Sequence, residues 1–299
     1  MNCQAMHTQS RWFSYTCLLA AMFLWAGSFI ALKVALRSYD PMVIIFSRMA
    51  LASFCFLFFP RQFRRVKYQP GDLKYILFMG FCEPCLYFLF EIKALENTSA
   101  SQAGVIAAVL PLLVAVAAYL FLKERITRKT IAGFVLAILG SIWLSLSGQA
   151  TEQSPNPLLG NALEFGAMVC ATGYIVTLKR LTSTLSPFFL TAVQAAIGFV
   201  FYLPLLLLPS TTLPTHFDSG AILAIVYLGT FVTLGAYGLY NFGVSRIPVS
   251  QASAFVNLIP VFTIFLGWTI LNEQLTLQQY AAVAVILIGV TLSQERPTK

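Results

Sequence analysis

The stretch from Ser101 to Thr127, SQAGVIAAVLPLLVAVAAYLFLKERIT, returns from Ser250 to Thr276 as SQASAFVNLIPVFTIFLGWTILNEQLT. Ser101 meets Ser250, Gln102 meets Gln251, Pro111 meets Pro260, Glu124 meets Glu273 and Thr127 meets Thr276, each displaced by 149 residues. Two apolar segments match leucines by chance, but they do not align Ser-Gln-Ala, a proline, a glutamate and a threonine in one register. A period of half the chain is an internal duplication, so the fold must be two copies of one unit. The first apolar run belongs to the repeat as well. Ala21, Met22, Gly27, Leu32 and Lys33 match Ala167, Met168, Gly173, Leu178 and Lys179 at an offset of 146, as Pro41 matches Pro187. That run is therefore a member of the fold and not a signal peptide to be removed. The three-residue step between the offsets is assigned to the Pro/Thr/Ser-rich stretch from Leu208 to Ser219.

Composition decides what the unit is made of. Of 299 residues, 58% are hydrophobic and 10% charged, with mean hydropathy +0.78. A soluble domain carries roughly 25% charged residues. Ten apolar segments follow one another at 14–33, 42–59, 73–95, 101–122, 130–147, 158–179, 188–208, 221–243, 251–271 and 277–293. About 20 apolar residues cross a bilayer as helix, whereas a barrel strand would alternate polar and apolar over about ten. The expected fold is all-α integral membrane, ten transmembrane helices in two five-helix repeats. The first repeat is placed at 14–147, a linker at 148–157 and the second repeat at 158–293. The linker GQATEQSPN is polar, and Pro155 and Pro157 block continuous helix.

The net charge of +8 would suggest nucleic acid in a soluble protein. In a membrane chain, basic loop residues fix orientation instead, and no nucleic-acid partner is expected. With the N-terminus inside and ten crossings, 15 of the 19 Lys and Arg fall inside and three, Lys33, Arg37 and Lys93, outside. Both termini are thus expected in the cytoplasm, with the chain in a bacterial inner membrane. Five crossings per half force the halves into opposite orientations, an inverted-topology repeat of the kind used by secondary transporters. Of six cysteines, Cys17, Cys55, Cys82, Cys85 and Cys170 lie in apolar runs, where a thiol acts as a small hydrophobe. Cys82-Glu83-Pro84-Cys85 lacks a second ligand pair, so neither metal nor cofactor is expected.

The early Trp25-Ala26-Gly27-Ser28, together with Ala94-Leu95, Ser99-Ala100, Pro111 and Glu124 in one half and Gly243-Val244, Val249, Pro260 and Glu273 in the other, resembles the drug/metabolite transporter superfamily. The likeness is to its ten-helix bacterial members with two EamA-type domains, and it spans nearly the whole chain. It implies a secondary transporter of small metabolites. Among such proteins the chain looks most like exporters of aromatic amino acids.

Several residues are candidates for the transport site. Pro111 and Pro260 lie about midway along their helices, and each deletes the hydrogen bond to the carbonyl four residues earlier, at Ala107 and Val256. Matching interruptions in two halves point to a binding site. The two prolines are read either as hinges or as packing kinks. Asn257, one turn before Pro260, needs a partner in lipid, either substrate or a freed carbonyl. Glu83 and Arg48 are charges at depth that must face protein or a cavity. Arg48 is in reach of Glu91 or Glu83, and Arg48–Glu91 is taken as the structural pair. Glu83 is open to pairing or to a substrate ammonium or proton. Trp25, Tyr87, Tyr174 and Tyr237, with Tyr240 beside them, are the aromatic candidates. A cavity of aromatics with one arginine suits a zwitterion with an apolar side chain, not a phosphorylated sugar that would demand several cations. The rivals are a carrier of another substrate class and a passive channel or scramblase. An enzyme would need a constellation such as HExxH or GxSxG, and the chain has neither; His7 and His216 fall in tails or loops.

Overall fold

The computed structural model describes residues 3–63, 69–122, 128–247 and 249–293. Glu124 and Thr127, and the basic residues Arg64, Arg65, Lys67, Lys123, Arg125, Arg296 and Lys299, lie outside them. Among the described residues ten helical spans form: α1 (Cys3–Leu36), α2 (Pro41–Leu57), α3 (Asp72–Asn97), α4 (Ala100–Phe121), α5 (Arg128–Leu146), α6 (Pro157–Leu181), α7 (Pro187–Leu207), α8 (Ser219–Arg246), α9 (Gln251–Leu271) and α10 (Leu277–Ser293). Seven are long and apolar enough to cross a membrane alone; α2, α5 and α10 are shorter apolar helices. Each follows one of the ten apolar segments, although α1 starts well before residue 14. Among the described residues no strand forms.

Helix starts are written in short polar residues. Asp40 and Ser186 accept from the backbone N–H of Met42 (2.8 Å) and Phe189 (3.2 Å), with Pro41 and Pro187 at the first helical position. Asn156, Ser99 and Asp218 cap α6, α4 and α8 in the same way. Each cap satisfies a donor that the first helical turn leaves unpaired, and proline loses nothing there.

The packing obeys the two-fold that the duplication demands. α1 lies on α9 as α6 lies on α4; α8 packs on α1 as α6 packs on α3; α2 meets α8 as α7 meets α3. The pairs α2–α7, α4–α9 and α5–α10 each join a helix to its own counterpart. One end of the bundle gathers several connections. Lys33 Nζ donates to Gln153 O (2.5 Å), Asn156 N to Asn97 O (3.1 Å), and Thr212 N to Asp40 Oδ2 (3.1 Å). At this end the Glu273 carboxylate accepts from Ala100 N (2.8 Å) and Ser101 N (2.9 Å), closing over the start of α4. A Cβ on Gly267 would meet the Glu273 Oε2 at 2.8 Å, so the carboxylate reaches the helix only because residue 267 has no side chain. The lipid-facing perimeter carries Phe54, Leu57, Leu77, Phe81, Leu139, Trp143, Phe265 and Trp268.

The sequence did not announce how irregular the third helix of each repeat is. α3 widens into a π-helical stretch over Phe81–Leu86, and α8 does so over Leu228–Ala236. Within the first, Glu83 is extended (φ −150°, ψ 118°) and its peptide bond to Pro84 is cis. Thr233 stands 149 residues after Pro84 and its hydroxyl bonds to Leu228 O at 2.8 Å. α4 and α9 are interrupted as well. Tight i→i−3 bonds at Ala108 and Val109 precede Pro111, and a 3₁₀ turn over Phe255–Leu258 precedes Pro260.

Helix α10 approaches α5 at backbone distance. A Cβ on Gly289 would stand 2.7 Å from both Ala137 N and Gly133 O. Gly238, inside α8, has open space around it. Gly289→Val should therefore lower stability by about 1–3 kcal/mol through overpacking, read as a fall in melting temperature of the purified protein in detergent. Gly238→Ala should leave it unchanged or slightly raised. Equal melting temperatures for the two variants would contradict the α5–α10 contact.

Candidate functional site

The elements most constrained by the duplication converge on one cavity in the bundle interior. Trp25, Ser28 and Phe29 of α1, Arg48 of α2, Glu83, Tyr87 and Glu91 of α3, Tyr174 of α6 and Tyr237 of α8 contribute walls. So do Ala107 and Leu110 of α4 and Val256 and Ile259 of α9. Ala107 and Val256 are the residues whose carbonyls Pro111 and Pro260 cannot reach as donors. The two helix breaks thus border the same space from opposite halves. The cavity volume is about 40 Å³, room for roughly three waters, so a larger solute needs the walls to part.

Polar order in the site comes from a small number of buried groups. Arg48, 2% exposed, spreads its guanidinium over three partners. Nε donates to Thr233 Oγ1 (2.7 Å), Nη1 lies 3.8 Å from Glu91 Oε2, and Cζ sits 4.0 Å from the centroid of Phe88. Glu91 also accepts from the Tyr87 hydroxyl (3.0 Å). Glu83 instead takes the hydroxyl of Tyr237. Of the two carboxyls in reach of Arg48 in the sequence, Glu91 is the one that its guanidinium faces, and helix geometry gives the reason. Glu91 is one turn beyond Tyr87 on α3, whereas the extended backbone at residue 83 turns that carboxyl toward α8.

At the break in α3, side chains of α7 bond three successive carbonyls. Gln194 Nε2 donates to Glu83 O (3.2 Å), and the Tyr202 hydroxyl donates to Pro84 O (3.0 Å) and Cys85 O (2.5 Å). Asn241 joins this shell. It accepts from the Tyr174 hydroxyl and donates to Thr191 Oγ1 (2.8 Å) and Gln194 Oε1 (3.3 Å). Thr191, Gln194, Tyr202 and Asn241 were not singled out in the sequence. Their signal was present, since polar side chains inside apolar runs must find partners, but which partners they find depends on the tertiary fold.

Trp25 packs between Tyr237 (5.2 Å between centroids) and Tyr240 (4.7 Å), so the aromatic wall is continuous. Asn257 is misplaced by the sequence reading: it is not among the lining residues. In a 3₁₀ turn residues three apart eclipse one another, so Val256 and Ile259 share the cavity face and Asn257 is rotated away. Its Oδ1 is buried without a hydrogen-bond partner. Gln102 is buried and accepts from Asn161 (2.9 Å).

Removing Arg48 would strand Glu91. Arg48→Met should destabilise the protein by about 3–5 kcal/mol, and Arg48→Met combined with Glu91→Leu should regain most of that loss. Thermal unfolding of the three proteins in detergent checks this. A single variant as stable as the parent would mean that the ion pair contributes nothing.

A model of the EamA-like transporter family matches residues 12–146 and again 158–293. The chain is 30% identical over 298 residues to the uncharacterized transporter YcxC of Bacillus subtilis, covering 96% of this chain and 95% of that one. It is 29% identical over 273 residues to an uncharacterized transporter of Archaeoglobus fulgidus, covering 91% and 95%. It is 26% identical over 290 residues to a protein of Escherichia coli named a probable amino-acid metabolite efflux pump, covering 92% of each. A solved crystal structure superposes with a TM-score of 0.65 at 19% identity, covering 94% of this chain and 97% of its own.

Proposed function

The chain belongs to the EamA-like transporter family, and on that premise we propose that it exports amino acids, aromatic ones foremost, by alternating access. It is a multi-pass membrane transporter of small molecules, not an enzyme. The observation that carries the finer reading is the lining of the cavity. One guanidinium, Arg48, and two carboxyls, Glu83 and Glu91, face the same space as Trp25, Tyr87, Tyr174 and Tyr237. That pattern matches a zwitterion bearing an apolar ring. Arg48 would receive the carboxylate, Glu83 the ammonium, and the aromatic wall the side chain. A phosphorylated substrate would need more cations than one. The name of the Escherichia coli relative points the same way.

In this reading Pro111 and Pro260 are the hinges. A proline break is where a helix bends at low cost, and these two breaks border the cavity from both repeats. The repeats occupy 14–147 and 158–293, with the linker 148–157 between them. The excess of Lys and Arg in alternate connecting segments of the sequence supports an orientation with both termini in the cytoplasm and the connection-rich end outside, in a bacterial inner membrane.

The test is exchange in proteoliposomes preloaded with unlabelled phenylalanine, threonine or a nucleotide sugar. Labelled phenylalanine should enter saturably by counterflow. Trp25→Ala should raise its half-saturation concentration about 2- to 10-fold, the worth of one aromatic contact. Exchange of the sugar nucleotide instead would overturn the substrate class, and uptake that never saturates would favour a channel or scramblase.

A further inference from the structure

Glu164 of α6 is fully buried, at 0% exposure, and neither of its carboxyl oxygens has a hydrogen-bond partner. A carboxylate without a partner in hydrocarbon is among the most unfavourable groups a membrane helix can carry. From α3, Glu91 and Tyr87 act on it electrostatically, and the cation that faces Glu91, Arg48, is engaged with Glu91 and Thr233. Lys93 and Glu96, also on α3, pair with each other at the surface (2.7 Å). Among the described residues, α4, α5, α8 and α9 bring no charged group to it.

Its position along α6 gives the group a use. The buried face of α6 runs Gly160, Asn161, Glu164, Met168, Ala171, Tyr174 and Ile175. Residues three and four apart stack along one helix face. The far members of this stripe, Met168, Ala171, Tyr174 and Ile175, line the central cavity. The near member, Asn161, is the hub of a polar network that reaches the connection-rich end. It accepts from Thr98 Oγ1 (2.8 Å) and donates to Gln102 Oε1 (2.9 Å) and Ser145 Oγ (3.1 Å). Beside it, Asn97 O accepts from Ser154 Oγ (3.3 Å) and Asn156 N (3.1 Å) of the inter-repeat linker. Glu164 thus stands one helical turn below a hydrogen-bonded entry from the membrane surface and one turn above the cavity. Across from it, Glu91 and Tyr87 are themselves cavity-lining groups.

We propose that Glu164 is a proton-binding site that couples transport to the proton gradient, loaded from the connection-rich end through the Asn161 network and unloaded through the cavity. The inference rests on the exporter reading above and names its driving ion. A proton from outside adds to the Glu164 carboxylate to give the neutral acid, which is the form its apolar surroundings accept. When the cavity opens inward, the proton leaves past Glu91 and Tyr87 while substrate is taken up for export. The position is specific to the second repeat, since residue 18, which stands 146 earlier, is a leucine.

The test uses the full chain and two readouts. In proteoliposomes with one pH unit across the membrane, a one-for-one exchange sustains at most about a tenfold gradient of substrate. The parent should approach that ratio with phenylalanine, Glu164→Gln should concentrate nothing, and Glu164→Asp should retain accumulation. Independently of any substrate, infrared spectra of the purified protein should contain the carbonyl stretch of a buried protonated carboxylic acid that Glu164→Gln removes. If phenylalanine exchanges but Glu164→Gln accumulates it as the parent does, the proton site is wrong and the exporter reading stands. If no amino acid exchanges, the exporter reading falls, and the infrared band alone decides whether Glu164 holds a proton. Its absence from the parent overturns the inference.

Discussion

Hydrocarbon offers no water to a stray peptide group, so every backbone donor and acceptor set free by a broken helix must be answered from inside the bundle. Much of this protein's interior follows from that constraint. α3 breaks at Glu83-Pro84, and three successive carbonyls there accept from Gln194 and Tyr202 of α7. Gln194 in turn is shared with Asn241 of α8, which holds Tyr174 of α6. The cavity walls are therefore fixed by side chains that first answer the backbone and only then present rings to the space between the repeats. A purely apolar bundle could pack as tightly, but it would have no reason to keep broken helices beside its centre.

The two repeats share a scaffold and differ in chemistry. Both third helices widen at the same register, one at Phe81–Leu86 and the other at Leu228–Ala236. Yet where the first copy has Glu83 and Pro84, the second has Val232 and Thr233. Arg48 spans this difference, bonding the Thr233 hydroxyl on one side and facing Glu91 on the other. The pseudo-symmetry supplies the two matching breaks of α4 and α9, and the asymmetric substitutions supply the charges at the cavity. Both Glu83 and Glu164 have apolar counterparts in the other copy.

How much was readable before the fold was known depended on the range of the physics involved. The ten helices, the duplication and the proline breaks of α4 and α9 were legible because each is a local pattern or a repeated register. Trp25, Tyr87, Tyr174 and Tyr237 were recognisable as polar-tipped aromatics at depth, and they meet at one cavity. The hydrogen-bond shell of Thr191, Gln194, Tyr202 and Asn241 was not legible, since its partners lie tens of residues away in sequence. Asn257 was misjudged for a smaller reason. Its place one turn before Pro260 sets it at the helix break, but the residues that the break presents to the cavity are Val256 and Ile259. Glu164 carries the same sequence signal as Glu83, a charge inside an apolar segment (158–179), but only the fold shows that its carboxyl is left without a partner.

The carboxylate of Glu273 over the first turn of α4 gives the closed end of the bundle a bolt. Drawing it means breaking two charge-assisted hydrogen bonds together, each worth about 1.5–3 kcal/mol. Left uncompensated, that would hold the end shut by a factor of roughly a hundred or more. The duplication writes a glutamate, Glu124, into the same register of the first copy. Under the alternating access proposed above, release of Glu273 is the step that would free this end.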